Sequence, residues 1–324
     1  MNWNSFNTAF VISTVLGVAV AAAGGRYLPS DDGRSIPLVT ANIMRTERIW
    51  QAHTGQPEAC IAFLGDSRTA FQLNSSEFSM PDCKASNYAF PGLFAKTVGS
   101  VAQAIGRPKL IVFTYSESIF QQRPETWKDH LLSWRIPRSV YLSFARTTAA
   151  VSAVFSDKRK PSDGWWWNPA LGRWIYDGVD KRQLASLPSR DSEIHTMAVS
   201  YFVKVKRPPT LEEDVKAFLM SLATRTERLV VAIPPSMPGY RDVADSVAPG
   251  EHAAYLDAAR SAAKSLGLPV LDCAVASTCG LDVSDFADPV HMNDKGAAKW
   301  TAVVKERLRI QALIPTKAAA LPAR

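Results

Sequence analysis

The 324-residue sequence lacks internal repeats and long low-complexity segments, and it contains few histidines and cysteines. With 47% hydrophobic and 21% charged residues, this composition favours one large globular domain with a sizeable core. The histidines do not cluster with the four cysteines at the spacings of zinc sites, so we expect no metal and no cofactor. They stand at positions 53, 130, 195, 252 and 291.

Two short motifs stand at opposite ends of the domain-sized part of the chain. Ser67 ends a Gly-Asp-Ser run directly after a short apolar stretch, and such a junction can present a hydroxyl at the carboxyl edge of a parallel sheet. Asp288 and His291 are three residues apart, so one tight turn can carry a base and the group that orients it. A serine hydroxyl becomes an effective nucleophile when a base accepts its proton. The motifs thus indicate Ser67, His291 and Asp288 as nucleophile, base and orienting carboxylate, unless they are plain turn residues.

An early Gly-Asp-Ser and a late Asp-x-x-His resemble the SGNH (GDSL-type) hydrolases, over roughly residues 56–310. The resemblance implies a flavodoxin-like, doubly wound parallel sheet in a three-layer α/β/α fold, and a serine esterase or acyltransferase. It also implies an oxyanion hole formed by the amides of Ser67 and Gly92, because residues 85–92 resemble the second conserved block of the family.

The third block departs from the family pattern, because Glu117 stands where an asparagine donor is expected. A carboxylate repels an oxyanion unless it is protonated, and one lost donor typically lowers the rate by about 10²–10³. Either Ser116, Ser118 or Asn87 replaces the donor, or two backbone donors suffice, or the protein is not a normal hydrolase. If Glu117 occupies the third oxyanion position, replacing it with asparagine should raise esterase activity.

The remaining pattern alternates between strands and helices, which predicts a parallel sheet covered by helices on both faces. Core strands are predicted at 61–64, 86–89, 109–113, 229–235 and 268–272, and helices at 252–266 and 296–310. Asn293 and Asp294 read as the capped start of the last helix. The domain is predicted to span 56–310, with an insertion at about 119–227 and a disordered tail at 311–324.

The N-terminus is predicted to be a signal peptide or signal anchor, residues 1–28, followed by a linker or helix at 29–55. The apolar stretch at 8–23 is shorter than the roughly 20 residues of a membrane span and suits a signal sequence, although no Lys or Arg precedes it. An extension to 6–28 gives a marginal anchor. The resemblance favours a retained hydrophobic helix that anchors the protein to the inner membrane, with the domain in the periplasm. The alternative is a buried N-terminal helix of a cytosolic enzyme.

The four cysteines support export. Cys60 and Cys83 precede strands that would be neighbours in a flavodoxin-like order, and Cys273 and Cys279 would close a small loop before Asp288. We therefore expect two disulfides and an oxidising compartment, the alternative being four unrelated buried thiols.

The predicted insertion is unusually basic and rich in tryptophan. Residues 121–210 hold fifteen Lys and Arg against eight Asp and Glu, an excess equal to the net charge of the whole chain, +7. They also hold six of the nine tryptophans, including Trp165, Trp166 and Trp167. Aromatic faces suit sugar rings and a positive field attracts anionic polymers, although the tryptophans could equally pack the insertion onto the core. No binding motif accompanies the basic residues, so nucleic acid is not an expected partner.

Two functions follow from the residues and the resemblance. The first is a serine-dependent O-acyl esterase or acyltransferase, with acetyl as the expected acyl group, that modifies a cell-envelope polysaccharide. The second is a non-catalytic SGNH-like domain that binds glycan or a membrane acyltransferase partner.

Overall fold

The computed structural model describes residues 59–89, 95–121, 165–168, 170–176, 181–187 and 189–314. Apart from Trp165 and Trp166, these residues belong to one structural unit. The predicted signal or anchor segment, the linker at 29–55, Gly92 and most of the C-terminal tail lie outside the described residues.

A five-stranded parallel sheet forms the centre of the domain. The strands of the chain are β1 (Ile61–Leu64), β2 (Ala85–Asn87), β3 (Leu110–Thr114), β4 (Trp165–Asn168), β5 (Arg173–Tyr176), β6 (Arg228–Ile233) and β7 (Val270–Asp272). The central sheet has the order β2-β1-β3-β6-β7, with every neighbouring pair parallel, while β4 and β5 form a separate two-stranded sheet. Counted within the central sheet, this is the 2-1-3-4-5 order of flavodoxin-like folds, as predicted.

The register places β1 between two neighbours along its full length. Ala62 pairs with Ser86 of β2 on one side and with Ile111 of β3 on the other. All four residues of β1 and all five of β3 are buried. Continuous apolar runs of this kind are expected in parallel strands, because helices cover both faces of the sheet.

Eight α-helices occur in the described part of the chain, and they cover the sheet. They are α1 (Ser67–Gln72), α2 (Ala95–Ala104), α3 (Glu117–Phe120), α4 (Arg190–Ala198), α5 (Leu211–Ala223), α6 (Tyr240–Val247), α7 (Glu251–Ser265) and α8 (Asp294–Ile310). A π-helical turn, Val199–Val203, continues α4. Helix α5 packs on α2 and α7, whereas α8 packs on α1, in keeping with a three-layer α/β/α fold. None of the helices within the described ranges is long and apolar enough to cross a membrane.

The predicted strands and helices agree with the observed ones to within two residues at every end. Helix α7 matches the helix predicted at 252–266. Helix α8 is capped by Asn293, whose side chain accepts a hydrogen bond from the Gly296 amide at 3.1 Å. In the described residues, the interval between β3 and β6 contains α3, β4, β5, α4 and α5. Because α5 packs on α7, the last part of the predicted insertion belongs to the helical layer of the domain.

Both predicted disulfides are present. Cys60–Cys83 joins the residue before β1 to the segment before β2, with Cα atoms 5.0 Å apart, and the strands that follow are neighbours. Cys273–Cys279 closes a short loop directly after β7, with Cα atoms 5.8 Å apart. Both predicted cysteine pairings are therefore confirmed.

The two disulfides should differ in how much they stabilise the domain. In the chain-entropy model, a crosslink spanning 23 residues contributes about 3.5 kcal/mol and one spanning six residues about 2 kcal/mol. We expect the Cys60→Ala/Cys83→Ala variant to lose more unfolding free energy in urea than the Cys273→Ala/Cys279→Ala variant. Equal losses, or four free thiols in protein from its native compartment, would contradict this account.

Candidate active site

A glycine sets the turn that places Ser67 at the end of β1. Gly65 has a φ of +155°, and a β-carbon there would lie 2.2 Å from Oγ1 of Thr69 and 3.0 Å from the carbonyl oxygen of Thr114. Any larger residue would therefore clash and adopt an unfavourable backbone conformation. The turn makes Ser67 the first residue of α1, at the carboxyl edge of the central sheet.

A tight loop before α8 holds the candidate base. The Asp288 carboxylate accepts hydrogen bonds from the backbone amides of Val290 and His291 at 2.9 and 2.8 Å. The Ala287 amide donates to the His291 carbonyl at 2.9 Å and closes the loop. Gln72, at the end of α1, donates from Nε2 to the Val290 carbonyl at 2.9 Å. This last bond ties the histidine loop to the helix that begins at the serine.

The structure brings Ser67, His291 and Asp288 into one hydrogen-bonded chain. Ser67 Oγ lies 2.8 Å from His291 Nε2, and His291 Nδ1 lies 2.7 Å from Asp288 Oδ2. When Nδ1 carries the proton and donates to Asp288, Nε2 is free to accept the proton of the serine hydroxyl. The histidine side chain is 16% exposed, so the chain of bonds is shielded but still reachable.

The charges of the pair stabilise each other. Burial alone would raise the pKa of Asp288, but the charge and hydrogen bond of His291, with the amides of Val290 and His291, outweigh it and lower that pKa. Burial alone would lower the pKa of His291, but the Asp288 charge and hydrogen bond, with a smaller contribution from Asp66, raise it. An imidazolium formed during proton transfer would therefore be stabilised.

The expected oxyanion hole is only partly described. The Ser67 amide belongs to the first turn of α1, where backbone N–H groups have no acceptor within the helix. Gly92 lies outside the described residues. Asn87 uses its amide nitrogen to donate to the carbonyls of Thr69 and Leu73 at 2.9 and 3.2 Å, so it does not replace the missing donor.

The two serines considered as substitutes are also engaged. Ser118 Oγ donates to Asp66 Oδ2 at 2.5 Å, and it lies 2.9 Å from the hydroxyl of Ser116. Ser116 is fully buried. Neither hydroxyl is therefore placed to serve an incoming substrate.

Glu117 does not act as a donor at the third oxyanion position. Its buried carboxylate accepts from Arg68 Nη1 at 3.2 Å and lies 3.3 Å from His252 Nδ1, within ion-pair distance but without hydrogen-bond geometry. Burial would raise the pKa of Glu117, but His252 and Arg68 lower it to about 2. An ionised carboxylate only accepts hydrogen bonds, so Glu117 in this state does not donate one to an oxyanion.

Arg68, the residue next to the nucleophile, is a site residue that was not predicted from the sequence. It is 3% exposed, and its Nη2 atom donates to the carbonyls of Pro234 and Pro235 at 3.0 and 2.8 Å and to Ser236 Oγ at 3.2 Å. The available signal was a charged residue directly after the candidate nucleophile.

The described tryptophans of the insertion lie in β4 and β5. Trp165, Trp166 and Trp167 form most of β4, and their role in sugar binding stays a prediction. Trp174 of β5 is 2% exposed, so it packs within the protein and presents no face to a ligand.

No family model and no curated protein sequence matches the chain. Similar solved structures include a GDSL-like lipase from Bacteroides thetaiotaomicron (10% identity, 83% of this chain and 99% of that one, TM-score 0.40). Others are a lipase/acylhydrolase from Enterococcus faecalis (13%, 80% and 98%, 0.37) and an alpha/beta hydrolase from the metagenome of Lake Arreo (10%, 82% and 100%, 0.39). Every one of these TM-scores is below 0.5, so the evidence for a function lies in this chain's own residues.

The raised pKa of His291 sets an expectation for the pH dependence of activity. Catalysis needs neutral imidazole, so kcat/KM should rise with pH through an apparent pKa above the ordinary 6.5 of histidine. Asp288→Asn removes the anion that raises this pKa, so the acid limb should move to lower pH while the plateau falls by about 10⁴. Hydrolysis of p-nitrophenyl acetate between about pH 5 and pH 9 measures both. An acid limb that stays in place in the variant would refute the assigned pairing.

Proposed function

We propose that the protein is a serine-dependent O-acyl esterase or acyltransferase of the SGNH type, with a cell-envelope polysaccharide as substrate and acetyl as the acyl group. The observation that carries the proposal is the hydrogen-bonded chain from Ser67 through His291 to Asp288 at the carboxyl edge of a flavodoxin-like sheet. The strand order and the order of the three residues along the chain both agree with the resemblance found in the sequence.

The geometry supports a two-step acyl transfer. His291 Nε2 accepts the proton of Ser67 as the serine oxygen attacks the acyl carbonyl, and Asp288 stabilises the imidazolium. The tetrahedral intermediate then expels the alcohol, which takes the proton from His291, and leaves an acyl-serine. In the second step His291 deprotonates water or a sugar hydroxyl, whose oxygen attacks the acyl-serine. The tetrahedral intermediate then expels the Ser67 oxygen, which takes the proton back from His291. Water makes the protein an esterase, and a sugar hydroxyl makes it an acyltransferase.

The proposed compartment is extracytoplasmic, with the N-terminal segment as the anchor to the inner membrane. Two disulfides and no free cysteine in the described residues support it, because structural disulfides persist in oxidising compartments. An acylated glycan is the proposed substrate, a membrane acyltransferase is a candidate partner, and no nucleic acid is expected.

One observation favours the second candidate, a non-catalytic domain that binds glycan or a partner. Glu117 and Asn87 both use their side chains within the protein, so the third oxyanion donor of the family has no replacement among the side chains considered for that role. The intact serine–histidine–aspartate chain favours the enzyme, because a binding domain has no need for those bonds.

A fluorophosphonate serine probe separates these two functions. We expect the parent protein to be labelled on Ser67 and to hydrolyse p-nitrophenyl acetate, and Ser67→Ala to lose both while keeping the parent's melting temperature. A parent protein that resists the probe would support the non-catalytic domain. A variant that hydrolyses the ester as fast as the parent would remove Ser67 from the mechanism.

Variants of the three tryptophans in β4 test whether a polysaccharide is the substrate. If Trp165, Trp166 and Trp167 stack on sugar rings, replacing all three with alanine should lower kcat/KM on an O-acetylated polymer and spare p-nitrophenyl acetate. Trp174→Phe is the control, because that side chain is buried. Equal loss on both substrates would indicate a structural role for the three tryptophans. No change on either would turn attention to a protein partner.

A further inference from the structure

The two residues that flank Ser67 are both held by consecutive residues at the start of α3. Glu117 binds the guanidinium of Arg68 at 3.2 Å, and Ser118 donates to the carboxylate of Asp66 at 2.5 Å. Asp66 in turn caps α1 by accepting from the Arg68 amide at 3.0 Å. We call Asp66, Arg68, Glu117 and Ser118 the nucleophile clamp.

The clamp joins the serine turn to the carboxyl ends of two other strands. Glu117 and Ser118 follow β3. The Nη2 atom of Arg68 donates to the carbonyls of Pro234 and Pro235 and to the hydroxyl of Ser236, all of which follow β6. Strands β1, β3 and β6 are consecutive neighbours in the sheet. The first turn of α1 is therefore fixed across three strands rather than by its own short helix.

Within the clamp, Arg68 and Glu117 form a buried ion pair. The Arg68 and Glu117 side chains are each 4% exposed. A buried ion pair contributes little net stability compared with apolar residues, but loss of one partner leaves an uncompensated buried charge. Such a pair is better explained by the geometry it fixes than by stability.

We propose that Glu117 and Ser118 are positioning residues that act through Arg68 and Asp66 to aim Ser67 at His291. The glutamate thus replaces the family's asparagine with a different task, and the site works without a side-chain oxyanion donor from this block. This inference rests on the proposed function, because it requires Ser67 to be the nucleophile.

The clamp also has an electrostatic consequence for the base. His291 faces Asp288 on its own loop and the charges of Asp66 and Arg68 on the serine turn, and the Arg68 cation lowers the pKa of His291. Removing the Glu117 charge leaves this cation uncompensated and should reduce the rise in the pKa of His291. Removing Arg68 should raise this pKa. A purely structural defect would lower the activity of both variants, but it would not move the acid limbs of their pH profiles in opposite directions.

The test is the second-order rate of fluorophosphonate labelling, measured against pH and normalised to the reactive fraction at saturation. Glu117→Gln keeps the shape of the side chain and removes its charge. We expect labelling to slow by about 10- to 100-fold, because a small misplacement of a nucleophile has effects of that size. Its acid limb should move to lower pH, and that of Arg68→Met to higher pH. The double variant Glu117→Gln/Arg68→Met should be labelled no more slowly than the slower of the two single variants, because the two residues act as one unit.

Two further variants keep the test decisive. Ser118→Ala removes the contacts of this hydroxyl with Asp66 and Ser116 and leaves the ion pair of Arg68 and Glu117 in place. It should also slow labelling, even if Glu117→Gln does not fold. Asp272→Asn is the matched control, since it removes a carboxylate from an ion pair with Arg260 at the edge strand β7, and it should label at the parental rate.

The outcomes distinguish the clamp from the proposed function. Parental rates and pH profiles in Glu117→Gln, or a parental rate in Ser118→Ala, would overturn the clamp and leave Ser67 as the nucleophile. A faster rate in Glu117→Asn would also overturn it, because it would mean that an oxyanion donor had been restored. Labelling of Ser67→Ala at the parental rate would overturn the proposed function, and the clamp with it.

Discussion

The hydrogen bond between Ser67 and His291 joins residues 224 positions apart, and the rest of the site depends on it. Neither residue could hold the other by itself, because one stands on a six-residue helix and the other on a tight loop. The parallel sheet solves this problem by bringing the loops after β1 and β7 to the same edge. Nucleophile and base are therefore neighbours only in the folded domain.

Further contacts hold α1 against the histidine loop at its other end. Gln72 binds the carbonyl of Val290, and the buried guanidinium of Arg173, from β5, binds the carbonyl of Phe71 at 2.6 Å. Arg173 also pairs with Asp294 at the start of α8, the helix that follows His291. Part of the predicted insertion thus helps to build the site, in addition to any role in binding substrate.

The sequence predicted the sheet and the three central residues because both depend on local signals. Apolar runs ended by glycine, proline or aspartate mark the strands, and an Asp-x-x-His turn can be recognised from its own four residues. The role of Glu117 could not be predicted in this way. The resemblance to the family identified its position along the chain. The partner of its carboxylate is Arg68, 49 residues away, and only the tertiary structure brings the two together.

The pairing of Glu117 with Arg68 changes how much its presence argues against catalysis. An isolated carboxylate beside the serine would repel the oxyanion and disfavour the reaction directly. Here the neighbouring guanidinium balances that charge, so the repulsion is largely removed and what remains is the absence of one donor. One missing donor is worth about 10²–10³ in rate, whereas enzymes accelerate reactions by about 10⁶-fold or more. A slower enzyme is therefore a more natural consequence of Glu117 than an inactive one, and the intact bonds of Ser67, His291 and Asp288 favour the same conclusion.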